Sequence, residues 1–344
     1  MTQDTPDTVG ETPELGDVAA STAGVVVTDD AGTTSAPDAA RERTLGGVHA
    51  FTAYLLWGFL PLYFLLLAPT GPWEIVAWRI LLSLAFCALL LTVTRRWGSL
   101  RAIMRQRRLL LWTAVAGAVI YVNWQVFLIA TLTGHVIETS MGYFINPLFT
   151  VLMGVFILRE HLRRMQWVAI GIAALAVVVI IVGYGSFPWI ALTLATSFGL
   201  YGLVKKQIGP SVDAVSGLTL ESMWLTPVAT AVLVVVGLTS GLSMGAEGGG
   251  HTALLLMAGV MTATPLLFFA AGARRVPLTL IGLLQFIAPI MQFITGAWIL
   301  GEPMPLERWI GFGLVWLSLI VLTTDSLAAA RRSRATVSDV ADLT

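Results

Sequence analysis

The sequence predicts an all-α integral membrane protein whose ten transmembrane helices form two inverted five-helix repeats. Three observations predict this: an apolar composition, a succession of long apolar runs, and an internal repeat. Of the 344 residues, 56% are hydrophobic and only 12% are charged, which is about half the charge of an ordinary soluble domain. This composition excludes a water-soluble globular enzyme, and the runs are too long for the alternating strands of a membrane barrel.

The N-terminal stretch, residues 1–45, is predicted to be a disordered acidic tail on the cytoplasmic side. Eight Asp and Glu residues precede the first basic residue, Arg41, among many Thr, Gly and Ala residues. Such a composition buries too little apolar surface to fold. The stretch also lacks the basic segment of a secretory signal peptide, so we do not expect one.

Ten apolar runs follow, and each is close to the ~20 residues that a helix needs to cross the hydrocarbon core. The first five predicted spans are Val48–Leu67, Trp73–Thr94, Leu109–Ala130, His135–Leu158 and Gln166–Val182. The second five are Phe187–Val204, Val212–Leu238, Thr252–Gly272, Pro277–Leu300 and Pro305–Thr323. The predicted domains are therefore a first repeat at 46–183, a second repeat at 184–324 and a cytoplasmic C-terminal tail at 325–344.

Lys and Arg residues set the predicted orientation, because short basic loops stay in the cytoplasm. With both termini cytoplasmic, 18 of the 20 Lys and Arg residues fall in cytoplasmic segments. Only Arg308 falls on the opposite side, and Arg79 lies within the second span. One span more or fewer would swap the sides of every later loop, so the charge bias supports ten spans with both termini in the cytoplasm.

An internal repeat relates the two halves of the chain. A shift of 142 positions places the fourth and fifth spans on the ninth and tenth with nine identities across 28 residues. Shared apolar composition explains matching Ile and Leu residues, but it does not explain matches of rarer residues such as Pro147 with Pro289, Glu160 with Glu302 and Trp167 with Trp309. Because each repeat holds an odd number of spans, the second repeat is inverted, as in many secondary transporters.

Ionisable side chains inside the spans are the first candidates for function. At bilayer depth each costs ~2.5–3.5 kcal/mol or more on insertion scales, so it usually faces a cavity or a partner. Arg79, Asn123 and Glu138 are predicted to share a depth in the outer third of the membrane. Glu221 matches Arg79 under the 142-residue shift, so these two charges are expected to frame a central cavity from opposite ends.

The buried charged residues suggest a gate or a structural tie in one place and proton coupling in another. Glu138 is expected to pair with Arg79, and this pair either gates the outer mouth of the cavity or only ties two helices together. Glu221 has no obvious basic partner on its own side of the membrane. Because a carboxylate is the cheapest proton carrier at membrane depth, Glu221 is the predicted proton-coupling residue.

Amides beside two prolines make the fourth and ninth spans the predicted cavity lining. Asn146 precedes Pro147, and Gln285 and Gln292 flank Pro289. A proline frees a backbone carbonyl and bends the helix. Within a membrane the freed carbonyl must be satisfied by neighbouring groups or by cavity water.

Aromatic residues are candidate walls of the same cavity, although packing or interfacial anchoring explains most aromatic residues in such a chain. Trp57 and Tyr143 are the two aromatic residues included among the predicted cavity-lining residues. The predicted substrate-binding or gating residues are therefore Trp57, Arg79, Asn123, Glu138, Tyr143, Asn146, Glu221, Gln285 and Gln292.

The sequence resembles the EamA family of the drug/metabolite transporter superfamily, and within it the RarD branch of chloramphenicol-sensitive permeases. The resemblance covers roughly residues 46–324 and rests on Ala53–Gly58, Ala77–Ile80, Gly134–Pro147, Ser197–Gly202, Gly217–Glu221 and Leu284–Pro289. It implies a ten-helix inner-membrane carrier of two EamA repeats, with a central cavity and cytoplasmic termini. It does not imply a substrate.

These observations predict a secondary transporter, a permease or exporter of small polar or amphipathic metabolites or drugs, that works by alternating access and is either proton-coupled or facilitative. Its expected partners are the lipid bilayer and a small-molecule substrate, with no nucleic acid, and both a monomer and a homodimer are compatible with the sequence.

Two other classes remain as alternatives. A channel needs a repeated ring of polar groups, whereas the polar residues here are single. An intramembrane enzyme needs a nucleophile with a base, or a metal cluster, and the chain has no HExxH motif, no paired Asp motif and one cysteine, Cys87. We therefore expect no catalytic residues, no metal ligands and no cofactor.

Overall fold

The computed structural model describes residues 36–158, 162–185, 187–209, 212–273 and 275–341. Contacts divide the chain into two units, Met1–Arg41 and Glu42–Thr344, and every contact discussed below lies in the second. The predicted acidic tail falls outside the described residues as far as position 35, and so does Glu160 of the sequence repeat.

Every regular element within the described ranges is helical. In the first half of the chain the helices are α1 (Ala36–Leu65), α2 (Pro72–Val93), α3 (Trp97–Met104), α4 (Arg107–Leu132), α5 (Val136–Leu158) and α6 (Arg164–Tyr184). In the second half they are α7 (Trp189–Ile208), α8 (Ala214–Thr239), α9 (Gly249–Leu256), α10 (Ala258–Ala273), α11 (Leu278–Leu284), α12 (Ile287–Ile294), a π-helical segment (Thr295–Ile299) and α13 (Leu306–Ala341).

These helices coincide with the ten predicted spans. Within the described ranges, nine helical segments are long and apolar enough to cross a membrane, and Trp189–Lys205 is a shorter apolar helix at the place of the sixth span. The eighth span consists of α9 and α10, and the ninth of α11, α12 and the π-helical segment. The chain is thus an all-helical, multi-pass membrane protein.

The helix ends follow from local chemistry. Pro72 occupies the first position of α2, where its missing N–H costs no hydrogen bond. Asp213 caps α8, because one of its carboxylate oxygens accepts hydrogen bonds from the backbone N–H groups of Val215 at 3.1 Å and Ser216 at 3.0 Å. Gly185 ends α6 in the left-handed conformation at φ 72°, which glycine adopts without steric cost.

The two matched prolines act differently. The ninth span is interrupted at Gln285 and Phe286, between α11 and α12. Pro289 lacks the N–H that would bond to the carbonyl of Gln285, which accounts for a break at this point. Pro147, in contrast, lies inside an uninterrupted α5. The sequence also gave no sign of α3, a short helix between the second and third spans whose Leu100 and Ile103 are buried.

Helices that correspond under the sequence repeat pack against one another. The second span, α2, contacts the seventh, α8, and the fifth, α6, contacts the tenth, α13. Small residues allow close approach elsewhere: a Cβ added to Gly259 of α10 would lie 2.4 Å from the backbone carbonyl of Leu82 in α2. The packing of matched helices on each other is the arrangement expected of two repeats related by a two-fold axis.

Candidate functional site

Polar side chains inside the spans lie mainly where the first predicted repeat meets the second. Four predicted site residues make a polar contact between the predicted repeats 46–183 and 184–324: Arg79 contacts Thr262, Asn123 contacts Ser197, Glu138 contacts Arg308, and Gln292 contacts Thr139. Four of the nine predicted residues therefore lie at the interface between the predicted repeats.

Arg79 of α2 lies between aromatic rings rather than beside a carboxylate. Its Nε donates a hydrogen bond to Thr262 Oγ1 at 2.7 Å. Its Cζ lies 4.2 Å from the centre of the Trp124 ring and 5.5 Å from that of Phe64, within the range of cation–π attraction. The residue is only 5% exposed. Among the described residues no carboxylate forms an ion pair with it.

The predicted pair between Arg79 and Glu138 is therefore wrong. Glu138 instead forms an ion pair with Arg308, whose Nη2 lies 3.3 Å from Glu138 Oε1. The physical reason is helix packing, because α5 contacts α13 and both residues lie in the first turns of their helices. Charge counting had assigned Arg308 to the outer side and had not connected it with Glu138.

Glu302, which lies between the ninth and tenth spans, caps the N-terminus of α5. Its two carboxylate oxygens accept hydrogen bonds from the backbone N–H groups of Val136 at 2.6 Å and Ile137 at 2.9 Å. A carboxylate suits the positive end of a helix dipole. Burial nevertheless raises the pKa of Glu302, and these hydrogen bonds only partly oppose that effect.

Sequence reasoning missed the role of Glu302, although one signal was available. Glu302 was one of the nine repeat identities. A carboxylate retained in both repeats at the end of a span was a candidate helix cap. Its repeat mate, Glu160, lies outside the described residues.

Glu221 of α8 has a basic partner, so the prediction that it stands without one is wrong. It forms an ion pair with Lys205 of α7 and accepts a hydrogen bond from the Tyr201 hydroxyl at 3.1 Å. The sequence had placed Lys205 in a cytoplasmic loop, but α7 continues to Ile208. The side chain of Lys205 is 34% exposed, so its ammonium reaches Glu221 while the residue still touches the surface.

Asn123 and Tyr143 belong to one hydrogen-bond network. The Tyr143 hydroxyl donates to Asn123 Oδ1 at 3.0 Å, and Asn123 Nδ2 donates to Ser197 Oγ at 3.0 Å and to the carbonyl of Leu194 at 3.2 Å. The network joins α4, α5 and α7. The structure thus brings together two residues that the sequence had proposed separately.

Two buried amides have unused hydrogen-bonding groups among the described residues. Asn146 Oδ1 and both polar atoms of the Gln125 side chain have no hydrogen-bond partner there. Buried polar groups in native proteins are normally satisfied, so these atoms are candidates for contact with water or a ligand. Gln125 was missed by the sequence analysis, although it is a polar residue in mid-span two positions from Asn123.

The three remaining predicted residues lie in different surroundings. Gln292 is buried, with Thr139 Oγ1 at 3.4 Å from its Oε1. Gln285 lies at the break between α11 and α12. Trp57 packs against the rings of Tyr54 and Phe269, at 5.3 Å and 5.8 Å between ring centres. These contacts give Trp57 an evident packing role.

Two apolar grooves also occur among the described residues. One, of about 390 Å³, lies between α4 and α7 and includes Val122 and Leu192. The other, of about 650 Å³, is lined by aromatic and aliphatic residues of α5, α12 and α13, including Phe293 and Trp316. Neither groove is lined by Arg79, Glu138 or Glu221, so the grooves are separate from the buried charges.

The described residues contain no group of three or more His, Cys, Asp or Glu side chains that could hold a metal ion.

Comparison with known proteins gives consistent results. The model of the EamA-like transporter family matches residues 44–182. The chain is 46% identical over 297 residues to Protein RarD of Streptomyces exfoliatus, covering 86% of this chain and 94% of that protein. It is 38% identical over 297 residues to the uncharacterized transporter YojE of Bacillus subtilis, with coverage of 85% and 98%.

A further relative is Protein RarD of Escherichia coli, at 36% identity over 294 residues, 86% of this chain and 99% of that protein. A solved crystal structure superimposes with a TM-score of 0.52 at 19% sequence identity and covers 84% of this chain and 98% of that chain. At this identity the likeness concerns the fold alone.

Proposed function

Because this chain belongs to the RarD branch of the EamA family of transporters, we propose that it is a secondary carrier of small polar or amphipathic metabolites or drugs that works by alternating access. Membership in the family makes it a membrane transporter. The proposal concerns the mechanism and the substrate class. The observation that carries it is the concentration of buried polar contacts between the two repeats.

Alternating access requires contacts that can be exchanged between two arrangements of the repeats. Apolar side chains at the interface can slide past one another, but hydrogen bonds and ion pairs between the repeats depend on direction and must break and re-form. Those contacts are the hydrogen bond from Arg79 to Thr262, the ion pair of Glu138 with Arg308 and the cap that Glu302 places on α5. In the proposed mechanism, these contacts hold one state closed.

The two buried ion pairs lie at opposite ends of the helix bundle in the predicted topology. Glu138 lies in the first turn of α5, whereas Lys205 lies in the last turn of α7. Consecutive spans alternate in direction, so the fourth and sixth spans run the same way and these two turns face opposite sides of the membrane. We assign the Glu138–Arg308 pair to the outer gate and the Lys205–Glu221 pair to the inner gate.

Proton coupling forms part of the proposal. Opening the inner end would separate Lys205 from Glu221, and a buried carboxylate without its cation is neutralised by proton uptake rather than left charged. Glu221 would then bind a proton whenever the inner gate opens. The proposed carrier has both termini in the cytoplasm and lies in the inner or plasma membrane.

Transport assays in proteoliposomes test the proposal. Purified protein is reconstituted, supplied with a pooled metabolite extract, and the imported compounds are identified by mass spectrometry. We expect saturable uptake of a few compounds and accelerated uptake when the same compound is preloaded inside, because such exchange requires a site exposed alternately to each side. Protein-free liposomes are the control.

The other function classes predict different results in this assay. A channel would give flux that rises linearly with concentration and shows no acceleration by preloading. An intramembrane enzyme would change the mass of a compound without accumulating it. Either result would contradict the carrier.

A further inference from the structure

The ionised side chains buried in the described spans are satisfied by the protein itself, with one exception. Glu138 pairs with Arg308, and Glu221 pairs with Lys205. Arg79 is buried as deeply, but it has one hydrogen bond, from Nε to Thr262, and no carboxylate partner among the described residues. A buried ion without a counter-ion is costly, so this arrangement calls for an explanation.

The aromatic neighbours of Arg79 explain only part of its environment. The rings of Trp124 and Phe64 stabilise the positive charge through their faces. They do not accept hydrogen bonds from the N–H groups along the edge of the guanidinium. Of its five N–H donors, the one on Nε is used by Thr262, and the structure records no hydrogen bond from either terminal nitrogen to a described residue. Those two nitrogens form the fork that binds a carboxylate in a bidentate manner.

The hydroxyls around Arg79 supply no negative charge. Tyr63 and Tyr143 pack in the same cluster as Phe64 and Trp124, the two rings that contact the guanidinium. The Tyr63 hydroxyl donates to the carbonyl of Leu254 at 2.8 Å, and the Tyr143 hydroxyl donates to Asn123. Both are therefore held in place by other parts of the protein. The surroundings of Arg79 are polar and aromatic, and no carboxylate of the described residues forms an ion pair with it.

The two charged positions that the repeat matches differ in whether the protein supplies a counter-ion. Under the 142-residue shift, Arg79 of the first predicted repeat falls on Glu221 of the second. At the Glu221 position the protein supplies its own counter-ion, Lys205, together with the Tyr201 hydroxyl. At the Arg79 position it supplies two aromatic rings and a threonine hydroxyl. No described carboxylate forms an ion pair at the Arg79 position, which leaves room there for an anion that the protein does not supply.

We propose that Arg79 binds the carboxylate of the transported substrate, so that the carrier selects small organic acids, including amino acids, over neutral compounds of the same shape. The two terminal nitrogens of Arg79 hold the carboxylate, and the Trp124 and Phe64 rings contact the adjoining part of the molecule. The inference rests on the proposed carrier function and specifies its substrate class.

The test compares acids with their neutral counterparts in the exchange assay. Each carboxylate that the wild-type protein imports from the metabolite extract is assayed beside its primary amide, which has nearly the same shape and no charge. Since a hydrogen bond to a charged group contributes more than a neutral one, we expect the amide to compete about tenfold or more weakly. This comparison uses only the wild-type protein, so it does not depend on the folding of a variant.

Variants of Arg79 give the second arm. Arg79→Gln should abolish the preference for acid over amide, and Arg79→Lys should weaken it, because lysine keeps the charge but not the fork. Arg163→Gln is the matched control, since Arg163 is an exposed arginine paired with Asp325 and its loss should leave the preference intact. Monodispersity in detergent establishes that each variant is folded.

Two outcomes would overturn the inference. One is equal transport of acids and amides, and the other is an unchanged acid preference in folded Arg79→Gln. Both leave saturable, exchange-stimulated transport in place. Absence of any such transport by the wild-type protein would instead contradict the carrier itself, so the two failures are distinguishable.

Discussion

Glu138 and Arg308 lie 3.3 Å apart, oxygen to nitrogen, and join the first turn of α5 to the first turn of α13. Their side chains are only 12% and 6% exposed. Removing one partner of a buried ion pair leaves an uncompensated charge, which typically costs about 3–5 kcal/mol. We therefore expect Arg308→Met alone to lower the free energy of unfolding by about this amount, measured by denaturant titration in mixed micelles.

The double variant separates the ion pair from other effects of the substitution. Glu138→Gln with Arg308→Met removes both charges, and we expect it to regain most of the lost stability. The control is Arg163→Gln with Asp325→Asn, a pair in which Arg163 is 47% exposed, whose coupling should be at most ~1 kcal/mol. Equal loss in the single and double variants of Glu138 and Arg308 would contradict a stabilising ion pair.

The sequence predicted the helices well because their length and apolar character are local properties. About 20 apolar residues between charged loops suffice to indicate a span, and the helices found agree with the ten predicted. Proline removes one particular hydrogen bond at both Pro147 and Pro289, yet only the helix of Pro289 is interrupted, so the sequence did not indicate which of the two helices breaks.

The sequence predicted the charge partners poorly because these depend on which helices face each other. Glu138 and Arg308 are 170 positions apart, and no local signal connects them. Lys205 was assigned to a cytoplasmic segment and Arg308 to the outer side of the membrane, whereas helix extension and helix packing bring their charged groups to buried carboxylates. The 142-residue shift matched Arg79 with Glu221, but it carried no information on what surrounds each.

The membrane orientation is testable with reporters. The positive-inside bias of 18 basic residues to one predicts that a fusion after Arg334 reports a cytoplasmic location. A reporter inserted between Gly241 and Gly250, the connection from α8 to α9, should report the external side. An external signal from the Arg334 fusion would contradict the predicted topology of ten spans with both termini in the cytoplasm.

Asp213 predicts an acid-sensitive contribution to stability. Burial acts to raise its pKa, but hydrogen bonds from Ser216, Ser99 and Val215 outweigh that effect and hold the pKa below its ordinary 3.8. A carboxyl group with a lowered pKa in the folded state contributes stability above its ordinary pKa and loses it as the pH falls through the folded value. The contribution should therefore be complete at neutral pH and disappear below about pH 4.

Two substitutions of Asp213 distinguish the cap from the charge. Asp213→Ala should cost about 0.5–2 kcal/mol at pH 7, as expected for loss of an N-cap. Asp213→Asn keeps an acceptor for the α8 backbone, so we expect near wild-type stability at pH 7 and a flatter decline in acid. The measurement is the unfolding midpoint in detergent at several pH values, and identical acid profiles for wild type and Asp213→Asn would contradict the assignment.

Glu221 predicts how transport responds to a pH gradient. In the proposed mechanism the separation of Lys205 from Glu221 is linked to proton uptake, so an imposed gradient should accelerate net uptake by the wild-type protein. Glu221→Gln cannot exchange a proton at this position, yet it can still accept the Tyr201 hydrogen bond. We expect this variant to retain exchange of preloaded substrate and to lose the acceleration by the gradient.

Asp325→Asn, at a carboxylate paired with exposed Arg163, is the control and should respond like the wild type. A full gradient response in Glu221→Gln would exclude proton coupling through this residue while leaving the carrier function intact.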